Sequence, residues 1–330
     1  MVPQELWAGV DIGGTKTAVV LANAPPQVLG RIEFATQPEN GPAPAIAQIE
    51  DGLRSLLAGA GAAPGDLAAI GVSCGSPLDP DAGVIQAPPN LPTWIDVPIV
   101  EILSRGFSCP VRLENDANAG ALAEHRFGAG RGFRHVVFLT MGTGLGAGII
   151  IDGRLYRGAT DSAGEIGHVR LTPRGPVGYH KPGSMEGWAS GGGMAQVAAH
   201  ALAAAYRKGE KTVLLDGRNG VVSAREVGLA AQAGDRVALR ILGISGRKLG
   251  MALAILVDLL NPECIVIGGL AMRLGDLILA PARKVLAREA LAPAVAACRI
   301  VPAQLGERIG DVAALCLAMD AARDAAPQAG

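Results

Sequence analysis

The chain states one pattern twice. LWAGVDIGGTKTAVVLAN, residues 6–23, and HVVFLTMGTGLGAGIIIDG, residues 135–153, each read as strand, glycine turn, strand. β-Branched residues fill the arms and glycines cluster at the turn, the signature of a hairpin. Neither turn belongs to a motif that feeds a helix. In DIGGTKT, Thr15 separates Gly14 from Lys16, so GxxxxGK[ST] is not met, and TAVVLAN beyond it is strand-like. GTGLGA at 142–147 matches GxGxxA but runs into GIIIDG, again strand. Such glycines let backbone N–H groups approach phosphate oxygens with no Cβ in the way. Thr15 and Thr143 place hydroxyls at the turns, and Asp11, at a strand end, suits the orientation of a Mg2+-bound water. Two ordinary hairpins are the competing reading; a matched pair, one flanked by an Asp and a Lys, weighs against it.

Around these hairpins lie β–α units. Residues 43–61 set Ile46, Ile49, Leu53, Leu56 and Leu57 at helical spacing. LAAIGVSCG (67–75) reads as a buried strand that enters a Gly/Pro loop reaching Trp94. Residues 109–127 read as strand then helix, with the helix starting near Asp116. A helix-rich stretch covers about 186–260. PECIVIGGLA (262–271) is a strand with a glycine end, RIVPA (299–303) a short strand, and a closing helix starts near 309.

Composition narrows the function classes. The 330 residues are 49% hydrophobic and 18% charged, as in a globular protein with room for two domains. A net charge of −1 without a basic run argues against nucleic acid or an anionic membrane as partner. The five scattered cysteines hold no CxxC pair and read as reduced thiols of a cytoplasmic protein. The start lacks the pattern of a signal peptide. The most apolar helical stretch, GMALAILVDLL, contains Asp258 and is too short to span a bilayer.

Three further segments carry chemistry. ENDAN (114–118) sits at a strand-to-helix junction, where ligands of α/β sheets gather. Asp116 at a helix N-terminus is held ionised and can accept a hydroxyl proton, with Asn115 orienting that hydroxyl. Equally, either residue can simply cap the helix. QAPPNLPTW (86–94) is an irregular loop with one amide and one indole, and Gly268–Gly269 after CIVI would let an adenosine approach the backbone; each reads equally as a turn. Residues 164–188 collect Glu165, His168, His180 and Glu186 among glycines and prolines. A structural metal needs thiolates or imidazoles at short spacing. No cysteine occurs from 110 to 263, and no third imidazole lies close to the two histidines. Acceptors and donors around a polyhydroxylated ring explain the inventory better.

DIGGTKTAVV, ENDANAGALAE, MGTGLGAGIIIDGRLYRG, AGEIGH, MEGWASG and PECIVIGG, in this order, resemble the ROK sugar kinases over about residues 7–320. The resemblance implies an actin-like ATPase (ribonuclease H-like) fold, two α/β domains with mixed sheets around a cleft. The expected domains are 1–122 plus about 308–330, and 123–307. It implies an ATP-dependent hexose kinase, most simply acting on the 6-OH of glucose, with Mg2+ and as a homodimer. Kinases of N-acetylhexosamines or fructose are same-family alternatives. Asp116 is then the general base. Gly75, Asn90, Asn115, Glu165, His168 and Glu186 bind the sugar. Asp11, Gly13, Gly14, Thr15 and Lys16 match the first phosphate motif, with Asp11 on Mg2+ through water; Thr143 and Gly144 match the second, and Gly268 and Gly269 the adenosine motif.

Two departures stand out. Many members carry a zinc loop, CxCGxxGCxE, whose cysteine positions fall here on Val177, Tyr179 and Ser184, so no zinc site is expected. Order in that loop is expected instead from Pro173, Pro176 and Pro182, with apolar packing by Val177, Tyr179 and Trp188. SCGSPLD also replaces the commoner xPGxVD of the sugar loop. The family includes sugar-sensing repressors with an N-terminal helix-turn-helix; DIGGTK begins at residue 11, which leaves a non-catalytic regulator as the alternative class rather than the expectation.

Overall fold

The computed structural model describes residues 5–215 and 221–326. The chain divides into two units. One holds everything described up to Phe127 and again from Glu307, and the other runs Gly128–Gly306. Residue 123, the boundary expected from the sequence, lies within the helix Asp116–Phe127, and a continuous helix stays with one unit.

In the first unit the opening hairpin is β1 (Leu6–Ile12) and β2 (Lys16–Ala22), extended by β3 (Gly30–Ala35). Next come β4 (Leu67–Cys74), a small ribbon of β5 (Leu78–Asp79) and β6 (Val84–Ile85), and β7 (Val111–Asn115). The sheet order is β3-β2-β1-β4-β7, antiparallel among the first three and parallel from β1 onward. The second unit repeats it. Its strands are β8 (Val136–Met141), β9 (Leu145–Ile151), β10 (Arg154–Tyr156), a ribbon of β11 (Val177–Gly178) and β12 (Lys181–Pro182), β13 (Cys264–Ile267) and β14 (Arg299–Pro302). The order β10-β9-β8-β13-β14 has the same directions. The repeated hairpin is therefore the visible part of a repeated five-stranded sheet.

Both faces of the first sheet are covered. On one, Ile49, Leu53 and Leu57 of the helix Pro42–Gly59 and Leu103 and Phe107 of Ile99–Phe107 bury against Val10, Val19 and Val72. Each such side chain contributes about 1.5–3 kcal/mol when fully buried. On the other lies the last helix, Ile309–Ala325. Its alanines and the sheet's Gly71 allow backbone to approach backbone: a Cβ on Gly71 would collide with the Ala314 carbonyl. An ion pair, Arg126–Asp320 at 2.7 Å, ties this helix to Asp116–Phe127. The loop 86–94 divides by residue. Trp94 and Leu91 are wholly buried core, while Asn90 is exposed.

Candidate active site

Within the first unit, five of the segments singled out above meet. The turn between β1 and β2 is closed by Gly13 N–H donating to the Lys16 carbonyl at 3.0 Å. Thr36, buried at the end of β3, braces it: its hydroxyl donates to the Gly13 carbonyl at 2.6 Å, and its N–H to the Thr15 carbonyl at 3.1 Å. Asn90 packs on this turn so closely that a Cβ on Gly14 would lie 2.7 Å from both the Asn90 Cβ and carbonyl oxygen. Gly75 faces the same Asn90 side chain. Position 14 is glycine because a neighbouring backbone occupies the space of a side chain.

β7 ends at Asn115 and the helix Asp116–Phe127 begins at once. Asn115 Oδ1 accepts from Ala117 N–H at 2.9 Å and Asn118 N–H at 3.3 Å, and its amide donates to Ser76 at 2.8 Å. Asn115 therefore caps the helix and is also held by the loop that follows β4. Asp116 is exposed, and its Oδ1 accepts from Ala117 N–H at 2.8 Å. The wholly buried Glu114 anchors the junction through Asn115 N–H at 2.9 Å and the Asn118 amide at 3.0 Å.

Asp11 lies against the first turn of the last helix, where a Cβ on Gly310 would collide with its Oδ2. Burial pushes the Asp11 carboxyl up to about 6; repulsion from Asp116 and Asp311 adds, while a hydrogen bond from Ser73 and the charge of Lys16 oppose it. Asp11 thus feels the like charge of two other carboxylates, and a divalent cation would relieve that repulsion. Among the described residues no group of three or more His, Cys, Asp or Glu converges as a metal site; beside this turn Asp11 is the residue that could hold Mg2+. Lys16 does not point at the turn's interior but pairs with Glu33 at 2.9 Å. Glu33 pairs with Arg31 at 2.6 Å, and Arg31 with Asp311 at 2.9 Å.

Within the second unit, the turn between β8 and β9 is built differently. Gly142 N–H donates to the Gly144 carbonyl at 3.0 Å. The helix Gly191–Arg207 starts against the turn, its Gly191 and Gly192 N–H groups donating to the carbonyls of Gly142 at 2.8 Å and Thr143 at 3.1 Å. Beside it opens a cavity of ≈ 510 Å3 walled in part by Thr143, Gly192, Ser223, Arg225, Gly269 and Arg273. Gly269, at φ 66, sits where a Cβ would collide with the Met141 carbonyl. Gly268 backs onto the Phe138 ring instead. Of the cavity's residues the sequence reading named Thr143 and Gly269. It missed Gly191–Gly192, although GGG after Ala189–Ser190 marks a helix start that backbone can approach closely. It also missed Ser223, although SARE is a readable capping box, present with Ser223 N–H to Glu226 Oε2 at 2.8 Å. Arg225 and Arg273 left no signal in the sequence.

Glu165, His168 and Glu186 also come together in this unit. Crowding by protein raises the Glu165 pKa, the Glu186 charge adds to it, and His168 lowers it. Glu186 Oε2 accepts from Leu145 N–H at 3.1 Å, and a Cβ on Gly144 would lie 2.9 Å from that oxygen. The loop around them is ordered by polar clamps. Gln196 accepts from Val177 N–H at 2.9 Å and donates to its carbonyl at 2.8 Å, as a neighbouring strand would. Ser184 is buried and caps Met185–Ala189 through Gly187 N–H at 3.2 Å. The Trp188 indole donates to Thr172 at 2.8 Å and lies against Gly175. Trp188 packs as expected from the sequence, but Val177 and Tyr179 do not: they are 46% and 59% exposed, Val177 in a two-residue ribbon strand and Tyr179 in the turn that follows it, at φ 38. Tyr179 instead meets His168 edge to face at 6.2 Å.

The ROK family matches residues 7–321. The glucokinase of Halalkalibacterium halodurans is 34% identical over 280 residues, 84% of each chain. The crystal structure of the ROK hexokinase from Thermus thermophilus, 31% identical, superposes with a TM-score of 0.80 over 97% of this chain and 99% of that one. A ROK family glucokinase from Streptomyces griseus in complex with glucose and AMPPNP is 33% identical, with a TM-score of 0.76 over 96% and 99%. The actin-like ATPase fold expected from the resemblance is the one found, two mixed α/β units without a barrel.

Proposed function

The chain belongs to the ROK family, and from that membership we propose that it is an ATP-dependent hexose kinase acting on the 6-OH of glucose. The observation that carries the proposal is the Asn115–Asp116 junction. An exposed carboxylate stands at the first position of a helix, with its neighbour fixed on both sides by hydrogen bonds. In the proposed step Asp116 takes the proton of the sugar hydroxyl. The hydroxyl oxygen bonds to the γ-phosphorus, and the bond to the β,γ-bridging oxygen breaks to leave ADP. Little covalent chemistry falls to the protein; its part is positioning and charge management.

The first unit's turn, Gly13 to Lys16, would face phosphate with the N–H groups of Gly14 and Thr15, Gly13 N–H being used to close the turn, and Asp11 would hold Mg2+ through water. When bound, that ion neutralises charge developing on the phosphate oxygens. The second unit contributes Thr143, Gly144 and Gly269 toward the nucleotide, and Glu165, His168 and Glu186 toward ring hydroxyls. In the first unit, Asn90 and Gly75 are proposed for the sugar as well. Glucose is favoured by the relatives' names and by the glucose held in the Streptomyces griseus structure. A coupled assay across glucose, mannose, fructose and N-acetylhexosamines, each with ATP and with polyphosphate, tests the reading. Highest kcat/KM with glucose and ATP is expected. No turnover with any pair would overturn it in favour of a non-catalytic regulator. Sedimentation of the same sample checks the homodimer that belongs to this reading.

A further inference from the structure

In the second unit the groups assigned to the sugar and those assigned to the nucleotide meet on one residue. Leu145 follows the glycine turn and opens β9. Its N–H donates to Glu186 Oε2 at 3.1 Å. Its carbonyl lies against Gly167, where any Cβ would collide with it. Two residues on, Ala147 N–H donates to the Gly164 carbonyl at 3.1 Å. The segment carrying Glu165 and His168 is therefore laid along the start of β9, immediately after the Gly142–Gly144 turn.

Glu186 itself has a fixed backbone and one uncommitted oxygen. Its short helix is capped by Ser184, and Gly178 packs beneath it with no room for a side chain, a Cβ there lying 2.7 Å from Glu186 Cβ. Oε1 meets no donor among the described residues. A carboxylate accepts on both oxygens at once. Resting on the kinase reading above, the geometry points to Glu186 as a coupling residue: Oε2 sets the nucleotide turn through Leu145 while Oε1 takes a sugar hydroxyl, so the two ligands bind with positive cooperativity through one side chain. A hydroxyl on Oε1 fixes the carboxylate plane and orders the turn before the nucleotide arrives, which removes part of the ordering cost from the second binding event. Linkage makes the effect reciprocal: each ligand tightens the other by the same factor.

The test is calorimetric titration of Mg-AMPPNP with and without saturating glucose, and the converse. In the wild-type chain each ligand should tighten the other about tenfold. Gly144→Ala puts a methyl 2.9 Å from Oε2 and displaces the carboxylate from Leu145 N–H. Glu186→Ala removes the carboxylate and carries the same test should Gly144→Ala fold poorly. In both, the coupling factor should fall to within about twofold of unity. Glu186→Gln keeps an oxygen that accepts from Leu145; it should retain most of the coupling while binding glucose more weakly. A factor unchanged in Gly144→Ala and Glu186→Ala, or wild-type ligands that bind independently, overturns the coupling and leaves the kinase reading standing. Wild-type protein that binds neither glucose nor Mg-AMPPNP overturns that reading and the coupling with it.

Discussion

The two glycine turns share a topology and differ in everything that surrounds them. Pairing of Ile12 with Thr17 leaves Gly13, Gly14, Thr15 and Lys16 in the first turn; pairing of Met141 with Leu145 leaves only Gly142, Thr143 and Gly144 in the second. The first is ringed by charge: Asp11 beneath it, and the chain Lys16–Glu33–Arg31–Asp311 beside it. The second contains no charged residue. Its carbonyls are satisfied by the N–H groups of a helix start, and one carboxylate, Glu186, reaches it. A duplicated sheet has thus been put to two uses. The first turn manages charge, and the second holds shape beside a cavity.

The comparison breaks first at Asp116, where the charge-managing unit is proposed to do chemistry. Asp116→Asn keeps the hydrogen-bonding outline and cannot take a proton. It should lower kcat by about 10²–10⁴ while sugar affinity stays within several-fold. Near-wild-type kcat would remove the base from the first unit altogether.

Asp11 gives the next largest effect, with opposite signs for activity and stability. Its carboxyl titrates near 6 in the folded chain against 3.8 ordinarily. The folded state therefore prefers the protonated form. The contribution to stability is fully present below about pH 4 and is lost as pH rises through about 6. Asp11→Asn should accordingly gain on the order of 2 kcal/mol at pH 7, seen as a higher Tm, and nothing at pH 4. The same change should lower kcat at least about tenfold, because a neutral amide holds Mg2+ poorly. A Tm gain that persists unchanged to pH 4 would show that burial of charge is not its cause.

Much of this contrast is legible in the sequence. The repeated hairpin is legible because strand period and glycine turns are local signals, and the β7-to-helix junction because ENDAN changes from strand to cap within two residues. What surrounds the turns was not legible. Thr36 braces Gly13 from another strand, Gly310 meets Asp11 from the far end of the chain, and Gln196 clamps Val177 from a helix. Each is a tertiary contact made by an ordinary residue type, with no local pattern to mark it. Lys16 shows the converse. Its motif position suggests a phosphate partner, and a cross-strand acid at Glu33 holds it.

If the second turn works by shape, deleting its one hydroxyl should matter little. Thr143→Ala leaves the backbone bond to Gly192 intact, since the Thr143 carbonyl makes it. The lost side-chain hydrogen bond to a phosphate is worth about 1 kcal/mol, a several-fold rise in KM for ATP with kcat almost unchanged. A hundredfold loss of kcat would place charge stabilisation at the second turn too and dissolve the contrast.

The smallest expected effect is none at all. The loop from Gly164 to Trp188 is part of the shape-holding side, and its order comes from Gln196 on Val177, Ser184 on Gly187 and Trp188 on Thr172. A structural zinc site needs about four N or S ligands in a tetrahedron. Val177 has no donor atom in its side chain, Tyr179 offers a half-exposed phenol whose ring packs on His168, and the Ser184 hydroxyl already serves a helix cap. Chelator treatment, followed by restored Mg2+, should therefore leave activity unchanged, and elemental analysis should give well under one zinc per chain. Gln196→Ala supplies the positive control. Losing the two bonds from the Gln196 side chain to the Val177 backbone, at about 1 kcal/mol each, should raise the sugar KM several-fold through a loosened Glu186, with the ATP KM rising less. Activity lost to the chelator and recovered with Zn2+ but not Mg2+ would mean that a metal, rather than these three polar clamps, holds the loop.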